Sequence, residues 1–211
     1  FRAPGMRERY ESGPRNDVYY YSAIPDVEAE HSYQFELVVK VVNQHFSHQV
    51  SAYYNRIENF LTGQILSGPA AIAACGAANA GNCKKNVNLG SVTIKGIEGS
   101  ARWQLVAGHW LNAGFSLLRG ENNDLNEPLF QMPADEASLG WQGNVWRNVE
   151  ADFTLRMVDR QDRVATRFSN GSENPTAGFV TADIGATWRF AKQQQVRVAI
   201  KNLADKDYHE H

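Results

Sequence analysis

Apolar and polar residues alternate with a period of two along much of the chain, the pattern of strands with one face toward each kind of environment. From position 149 the sequence runs Val149, Glu150, Ala151, Asp152, Phe153, Thr154, Leu155, Arg156, Met157, apolar at each odd position. Leu111, Ala113, Phe115 and Leu117 alternate with Asn112, Gly114 and Ser116, and Ile184, Ala186 and Trp188 with Asp183, Gly185, Thr187 and Arg189. Val196, Val198 and Ile200 alternate with Arg197 and Lys201. Phe35, Leu37, Val39 and Val41 alternate with Glu36 and Lys40, although Val38 and Val42 blur the polar face. Together these runs predict eight strands, near 31–43, 47–61, 88–105, 110–120, 136–146, 149–164, 178–190 and 194–204, and no long helix. All seven prolines fall between them, where no ladder donor is lost.

The connections alternate as well. Those near 44–46, 107–109, 147–148 and 191–193 are short, and those near 62–87, 121–135 and 165–177 are long. A soluble meander has no reason to keep every second connection long. A transmembrane β-barrel does, with short turns on the periplasmic side and long loops outside. Several strands exceed the roughly 9–11 residues that cross a bilayer with tilt, so they are expected to project beyond it. Trp103, Trp110, Trp141, Trp146 and Trp188 fall near strand ends, where interfacial aromatic girdles lie in such barrels and where a sandwich would have core. If the reading holds, Val149, Ala151, Phe153, Leu155 and Met157 face lipid, and Glu150, Asp152 and Arg156 face the lumen.

Composition then removes other classes. With 21 basic against 23 acidic residues among 211, the net charge of −2 gives no bulk attraction to nucleic acid. A mean hydropathy of −0.46, without an 18-residue apolar run, excludes transmembrane helices. The 10 Phe, 8 Tyr, 5 Trp and 17 Gly suit many strands rather than a helical bundle or a disordered chain. H-E-x-x-H, G-x-S-x-G, Walker and C-x-x-C motifs are all missing, so no enzymatic activity is predicted. Asp159 and Asp162 beside Arg160 and Arg163 read as a charge network, and Asn170-Gly171-Ser172 as a turn.

Cys75 and Cys83 stand in an Ala/Gly/Asn-rich stretch that offers no core to hide a thiol. A disulfide is therefore expected over two free thiols, contributing about 2–3 kcal/mol. Its Cα atoms would lie about 4.4–6.8 Å apart, and the loop would face an oxidising compartment. The chain opens at Phe1 without initiator Met or targeting signal and stops at His211 after a strand-like run, so it is expected to be a fragment or a processed piece.

Several segments carry a family resemblance. Phe1-Arg2-Ala3-Pro4 with Glu8-Arg9-Tyr10 resembles the F-R-A-P…E-x-Y signature of TonB-dependent outer-membrane receptor barrels. Glu30-His31-Ser32 with Phe35-Glu36-Leu37 is similar to the family's P-E-x-S…E-L-G strand, with Ala29 and Val38 departing from it. Tyr53-Tyr54-Asn55-Arg56-Ile57-Glu58-Asn59-Phe60 resembles F-Y-x-x-I-x-D-x-I, and Ile94-Lys95-Gly96-Ile97-Glu98 resembles A-x-x-x-G-x-E. Ile200-Lys201-Asn202-Leu203-Ala204-Asp205-Lys206-Asp207-Tyr208 is similar to V-x-N-L-F-D-K-x-Y near the family's C-terminus. Arg119-Gly120-Glu121-Asn122, Gln131 through Ala137, Arg160 through Val164 and Tyr208 through His211 resemble most the copper-receptor branch, departing at Ala134 and Ala204.

The resemblance implies an all-β fold, a transmembrane antiparallel up-and-down barrel of about 22 strands with a plugged lumen. Residues 1–211 would supply about eight of those strands, as the C-terminal part without the N-terminal plug and its TonB box. It implies a receptor in the outer membrane of a Gram-negative bacterium, with TonB, outer-membrane lipid and a transported ligand as partners. That ligand would be a scarce nutrient such as copper, another metal, or a metal chelate or siderophore, with no structurally bound cofactor. In the copper branch the Cys/Met metal pair lies in the plug, so it maps onto no residue here. The soft-metal candidates that remain are Met132, His209 and His211, with Met6 and His31 on the same outer side. His209 and His211 flank Glu210 on extended chain, which would turn both rings to one face, although a polar loop carries such residues too. His45, His48 and His109 fall near the short turns. Two other readings stay open: a complete eight-stranded structural or adhesive outer-membrane barrel, and a soluble β-sandwich binding module.

Overall fold

The alternating runs become one antiparallel meander in the computed structural model, which describes residues 1–211. A short helix, α1 (Met6–Tyr10), and the short strands β1 (Gly13–Pro14) and β2 (Tyr20–Ser22) come first. The wall follows as β3 (His31–Val42), β4 (Phe46–Ile65), β5 (Cys83–Val106), β6 (His109–Asn122), β8 (Glu136–Trp146), β9 (Val149–Val158), β10 (Phe179–Ala191) and β11 (Gln194–Ile200). The two-residue β7 (Glu127–Pro128) continues the pairing of β6 beyond the point where β8 begins. Each wall strand pairs antiparallel with the next, from β3 to β11. β3 and β11 do not pair with each other, so the sheet is open. A complete eight-stranded barrel would join these two edges, and a sandwich would need a second sheet. Both alternatives are set aside on this ground.

Successive side chains of a strand point to opposite faces, and antiparallel registers carry each face across the sheet. One face is apolar in row after row: Leu111 opposes Trp141, Trp141 opposes Phe153, Phe153 opposes Ile184, and Ile184 opposes Ile200. Its side chains are exposed, as Phe35, Leu37, Phe115, Phe153, Ile184 and Val198 illustrate. The other face carries the polar set. It is the concave one, because Ser51, Thr181 and Thr187 are buried on it and the grooves lined by Ser100, Ser116, Asn112 and Ser138 open there. Val149, Ala151, Phe153, Leu155 and Met157 thus share the convex face, and Glu150, Asp152 and Arg156 the concave one, as the alternation predicts.

The structure corrects the sequence reading in detail. β4 runs on to Ile65 and β5 begins at Cys83, because Thr62–Ile65 pair with Lys84–Val87 above the main sheet. The connection between them therefore shrinks to 66–82, and the longest becomes 159–178. β9 stops at Val158 rather than 164, since the chain turns away and Gln161 bridges to Thr176 instead. Pro14 and Pro128 do enter strands, but only two-residue ones. Trp110 does not join the girdle. It lies on the concave face with the Arg102 guanidinium 4.4 Å above its ring, whereas Trp103, Trp141, Trp146 and Trp188 lie on the convex one.

Within 66–82 the run Pro69-Ala70-Ala71-Ile72-Ala73-Ala74 forms α2 (Gly68–Cys75), with Pro at a first-turn position that needs no N–H donor. A 3₁₀ turn (Ala77–Asn82) returns the chain to β5. Cys75 and Cys83 are bridged, with their Cα atoms 5.9 Å apart, and pack with Ala71 against Tyr20. β2 pairs parallel to the start of β5, so the disulfide fastens α2, β2 and β5 into one block at the outer end of the wall.

Candidate functional site

Two surfaces stand out: the concave wall and the layer of long loops above it. On the wall, charged side chains pair across the strands, in one case reaching over β10 from β11 to β9. Arg197 makes two hydrogen bonds to the Asp152 carboxylate, at 2.5 and 3.0 Å. Arg156 reaches Glu136 at 2.5 Å and Glu210 at 2.6 Å, while Gln142 donates to Glu150 at 2.8 Å. Toward β4 and β5 the charges thin out to Tyr53, Glu98 and Ser116, with the Tyr53 hydroxyl donating to Glu98 at 3.2 Å. Between these zones lies a groove of about 330 Å³ lined by Asn112, Ser138, Gly140, Asp152, Thr154 and Arg197. This wall offers hydrogen bonds and balanced charge to a polar partner.

Above the wall the face that should be polar turns apolar. Ile57, Val92, Ile94 and Leu118 sit on the concave side of β4, β5 and β6 at their outer ends. The loops 123–135 and 159–178 fold inward and cover them, burying Leu129, Met132, Ala165 and Phe168 in one cluster with Leu89 and Val92. Gly120 is required for this approach, because a Cβ there would stand 2.6 Å from Met132 Sδ and 2.9 Å from Leu129 Cβ.

Carboxylates stitch the two loops together. Glu127 accepts the backbone N–H groups of Thr166, Arg167 and Phe168 at 3.0, 2.9 and 2.8 Å. Glu173 accepts those of Gln131, at 2.6 Å, and Ala165. The buried Gln161 amide donates to the carbonyls of Met132 and Pro133 at 2.8 and 3.0 Å. Arg119 clamps Asp135 with two bonds of 2.5 and 2.7 Å. Burial pulls the Glu127 carboxyl upward, but the N–H groups of Arg167, Phe168 and Thr166 outweigh it and hold the group below its ordinary value. The Arg119 hydrogen bonds lower the Asp135 carboxyl against the opposing pull of burial, and Arg163 adds to the lowering. The two loops thus form a folded lid with a core of its own.

The structure scatters the soft-metal candidates. Met132 lies inside the lid core. His211 is partly buried, with its side chain shielded and engaged at both ring nitrogens, by Glu173 at 3.1 Å and Thr176 at 3.4 Å. His209 is exposed. No cluster of three or more His, Cys, Asp or Glu side chains is arranged to hold a metal ion.

The motif residues have structural duties. Phe1 stacks on His31 with ring centroids 6.2 Å apart. Arg2 binds Glu30 at 2.6 Å and Glu8 at 2.9 Å, tying the strap through Ala3 and Pro4 to the wall. Asn202, at φ +50°, closes the turn after β11 by bonding both backbone groups of Lys206, and the Leu203 N–H reaches Ala182 at 2.7 Å. The lid escaped sequence reasoning. Its one signal was the group Ile57, Val92, Ile94 and Leu118, apolar on the polar side of otherwise regular strands.

Comparisons with known proteins give a consistent picture. The family model described as "TonB dependent receptor-like, beta-barrel" matches residues 1–203. No curated protein matches significantly. Among solved structures, "Copper transporter OprC" superposes with a TM-score of 0.81 at 23% identity, over 100% of this chain and 31% of its own. The ferric enterobactin receptor PfeA from Pseudomonas aeruginosa gives 0.68 at 16%, over 97% of this chain and 31% of its own. The siderophore receptor PirA from Acinetobacter baumannii also gives 0.68 at 16%, over 97% of this chain and 33% of its own. The chain therefore spans about a third of the length of the structures it resembles.

Proposed function

This chain belongs to the TonB-dependent receptor β-barrel family, whose barrels lie in the Gram-negative outer membrane, and from that premise we propose that it forms the C-terminal barrel part of a metal-importing receptor. The family and the structural neighbours are receptors and transporters rather than enzymes. In this reading the receptor captures copper, or failing that a metal chelate, outside the cell. Import then follows when energised TonB acts on a plug carried by the rest of the protein.

The single observation that carries the copper assignment is the fit of the whole chain onto the copper transporter at a TM-score of 0.81, against 0.68 for the siderophore receptors. The chain's own chemistry suits a supporting role. Its wall presents balanced ion pairs and small polar groups to a plug, and its lid roofs the lumen. Of the soft-metal residues, Met132 lies in the lid core and His211 is held by Glu173, which leaves the exposed Met6, His31 and His209 offered to passing metal.

Uptake by cells tests the reading. Deleting the gene for the full-length receptor should lower copper accumulation under copper limitation and leave growth on ferric siderophores unchanged. Normal copper content together with lost siderophore growth would replace copper by a ferric chelate as the cargo.

A further inference from the structure

The chain after β11 does not continue up the wall. Ile200 still pairs with Ile184, and the Leu203 N–H still reaches the Ala182 carbonyl at 2.7 Å, but no residue of β11 stands opposite Val180. Asn202 and Asp205, at φ +50° and +49°, turn the chain inward instead, a backbone conformation that Asn and Asp adopt more readily than other side chains. Residues 206–211 then lie over the concave side of β9 and β10. Tyr208 stacks on Phe179 with ring centroids 4.1 Å apart, Glu210 reaches Arg156 at 2.6 Å, and His211 meets Glu173 at 3.1 Å. That last contact falls on a group that already holds the lid. Glu173 Oε1 accepts the Gln131 N–H at 2.6 Å and faces His211 Nε2, while Oε2 accepts the Ala165 N–H. Three separate stretches of chain therefore meet on one carboxylate whose side chain is only 4% exposed.

We propose that residues 201–211 are the latch of the lid: seated, they hold Glu173 where it bonds both loops, and lifting them lets the loops part. A second line of contacts runs the same way. His211 Nδ1 lies 3.4 Å from Thr176 Oγ1, and the Thr176 backbone exchanges two hydrogen bonds of 3.0 Å with Gln161. The Gln161 amide in turn donates to the carbonyls of Met132 and Pro133 in the other loop. With the tail gone, water reaches Glu173 and competes with the Gln131 and Ala165 N–H groups for its oxygens, so bonds that the tail does not make itself weaken as well. The latch is also built to lift. Its ion pair with Arg156 is substantially exposed and shares that guanidinium with Glu136, and exposed pairs of this kind contribute little. Tail and lid are thus two seated states that favour each other, and such coupling acts equally in both directions. The latch concerns the lid alone and is independent of the cargo.

Hydrogen exchange of the full-length receptor in lipid nanodiscs, read by mass spectrometry, tests the latch. The decisive segment is 123–131, which shares Glu173 with the tail but makes no hydrogen bond to it. His211→Ala should speed exchange there about tenfold, a usual size for coupling between sites, and leave β8 and β9 unchanged. Tyr208→Ala, which removes the stack on Phe179 and no polar group of the lid, should act in the same direction. His211→Gln, whose amide also donates to a carboxylate, should keep most of the protection. In the reverse direction Phe168→Ala, a change inside the lid core, should speed exchange at 206–211 by a comparable factor. Faster exchange confined to 173–176 and 206–211 in both His211→Ala and Tyr208→Ala would overturn the latch, since the tail would then merely rest on its neighbour. An unchanged tail in Phe168→Ala would overturn it too. Rapid exchange of 123–131 already in the unmodified receptor would remove the lid, and the latch with it.

Discussion

Leu155→Arg in the full-length receptor is expected to destabilise the barrel by about 2–4 kcal/mol or to block its assembly, because a cation at mid-depth on the lipid face has no partner there. Leu155 sits in the middle of the convex band, between Leu139 and Ala182. Thr154→Arg provides the contrast one residue away. Thr154 faces the concave side opposite Gly140 and Asp183, where a guanidinium meets a carboxylate and water. That variant should assemble and lose much less stability than Leu155→Arg, because its guanidinium stays on the polar face that the wall turns to the lumen. Denaturant unfolding from lipid vesicles, with the heat-dependent gel shift as the assembly readout, measures both. Equal effects of the two substitutions would mean that the faces are assigned wrongly.

The second large effect concerns the lid. Phe168 is 3% exposed at the centre of its core and meets Phe130 in a tilted contact with ring centroids 5.9 Å apart, so Phe168→Ala should remove about 3–5 kcal/mol from local stability. Hydrogen-exchange protection should collapse at 123–135 and 159–178 and persist in β8 and β9. Glu127→Gln keeps the shape but gives up charge-assisted bonds to three N–H groups, and should cost about 1.5–3 kcal/mol in the same segments. The pH dependence follows from the direction of the Glu127 shift. Its folded value lies below the ordinary one of about 4.3, so its contribution is complete above that pH and disappears as the pH falls through the folded value. Lid protection should be level between neutrality and about pH 5, then decline on further acidification, and the decline should be smaller in Glu127→Gln. Rapid exchange across both loops in the unmodified receptor would mean that no lid exists in solution.

The wall and the lid differ in how plainly the amino-acid sequence announces them. Strict alternation at 149–157 determines which side of β9 is which, since a slip of one residue would bring Glu150, Asp152 and Arg156 into hydrocarbon. Alternation of short and long connections likewise yields the meander and the side on which the loops gather. The lid was not legible, because Ile57, Val92, Ile94 and Leu118 break the pattern only where strands leave the membrane. Their partners Leu129, Met132 and Phe168 lie up to about a hundred positions away along the chain. Helix α2 was hidden by the Ala/Gly composition that also marks a loop. Trp110 misled because residue type alone does not distinguish a girdle from a ring stacked under Arg102. His211 drew attention as a metal ligand, yet a carboxylate 38 residues earlier, Glu173, takes its ring nitrogen.

The most direct test of the orientation on which everything else depends is a spin-label scan of positions 149–157 in the full-length receptor in lipid bilayers. Labels at 149, 151, 153, 155 and 157 should collide with dissolved oxygen, which concentrates in the acyl chains. Those at 150, 152, 154 and 156 should favour a water-soluble nickel chelate or be shielded from both reagents. Oxygen maxima at the even positions, or no alternation at all, would contradict the barrel wall described here.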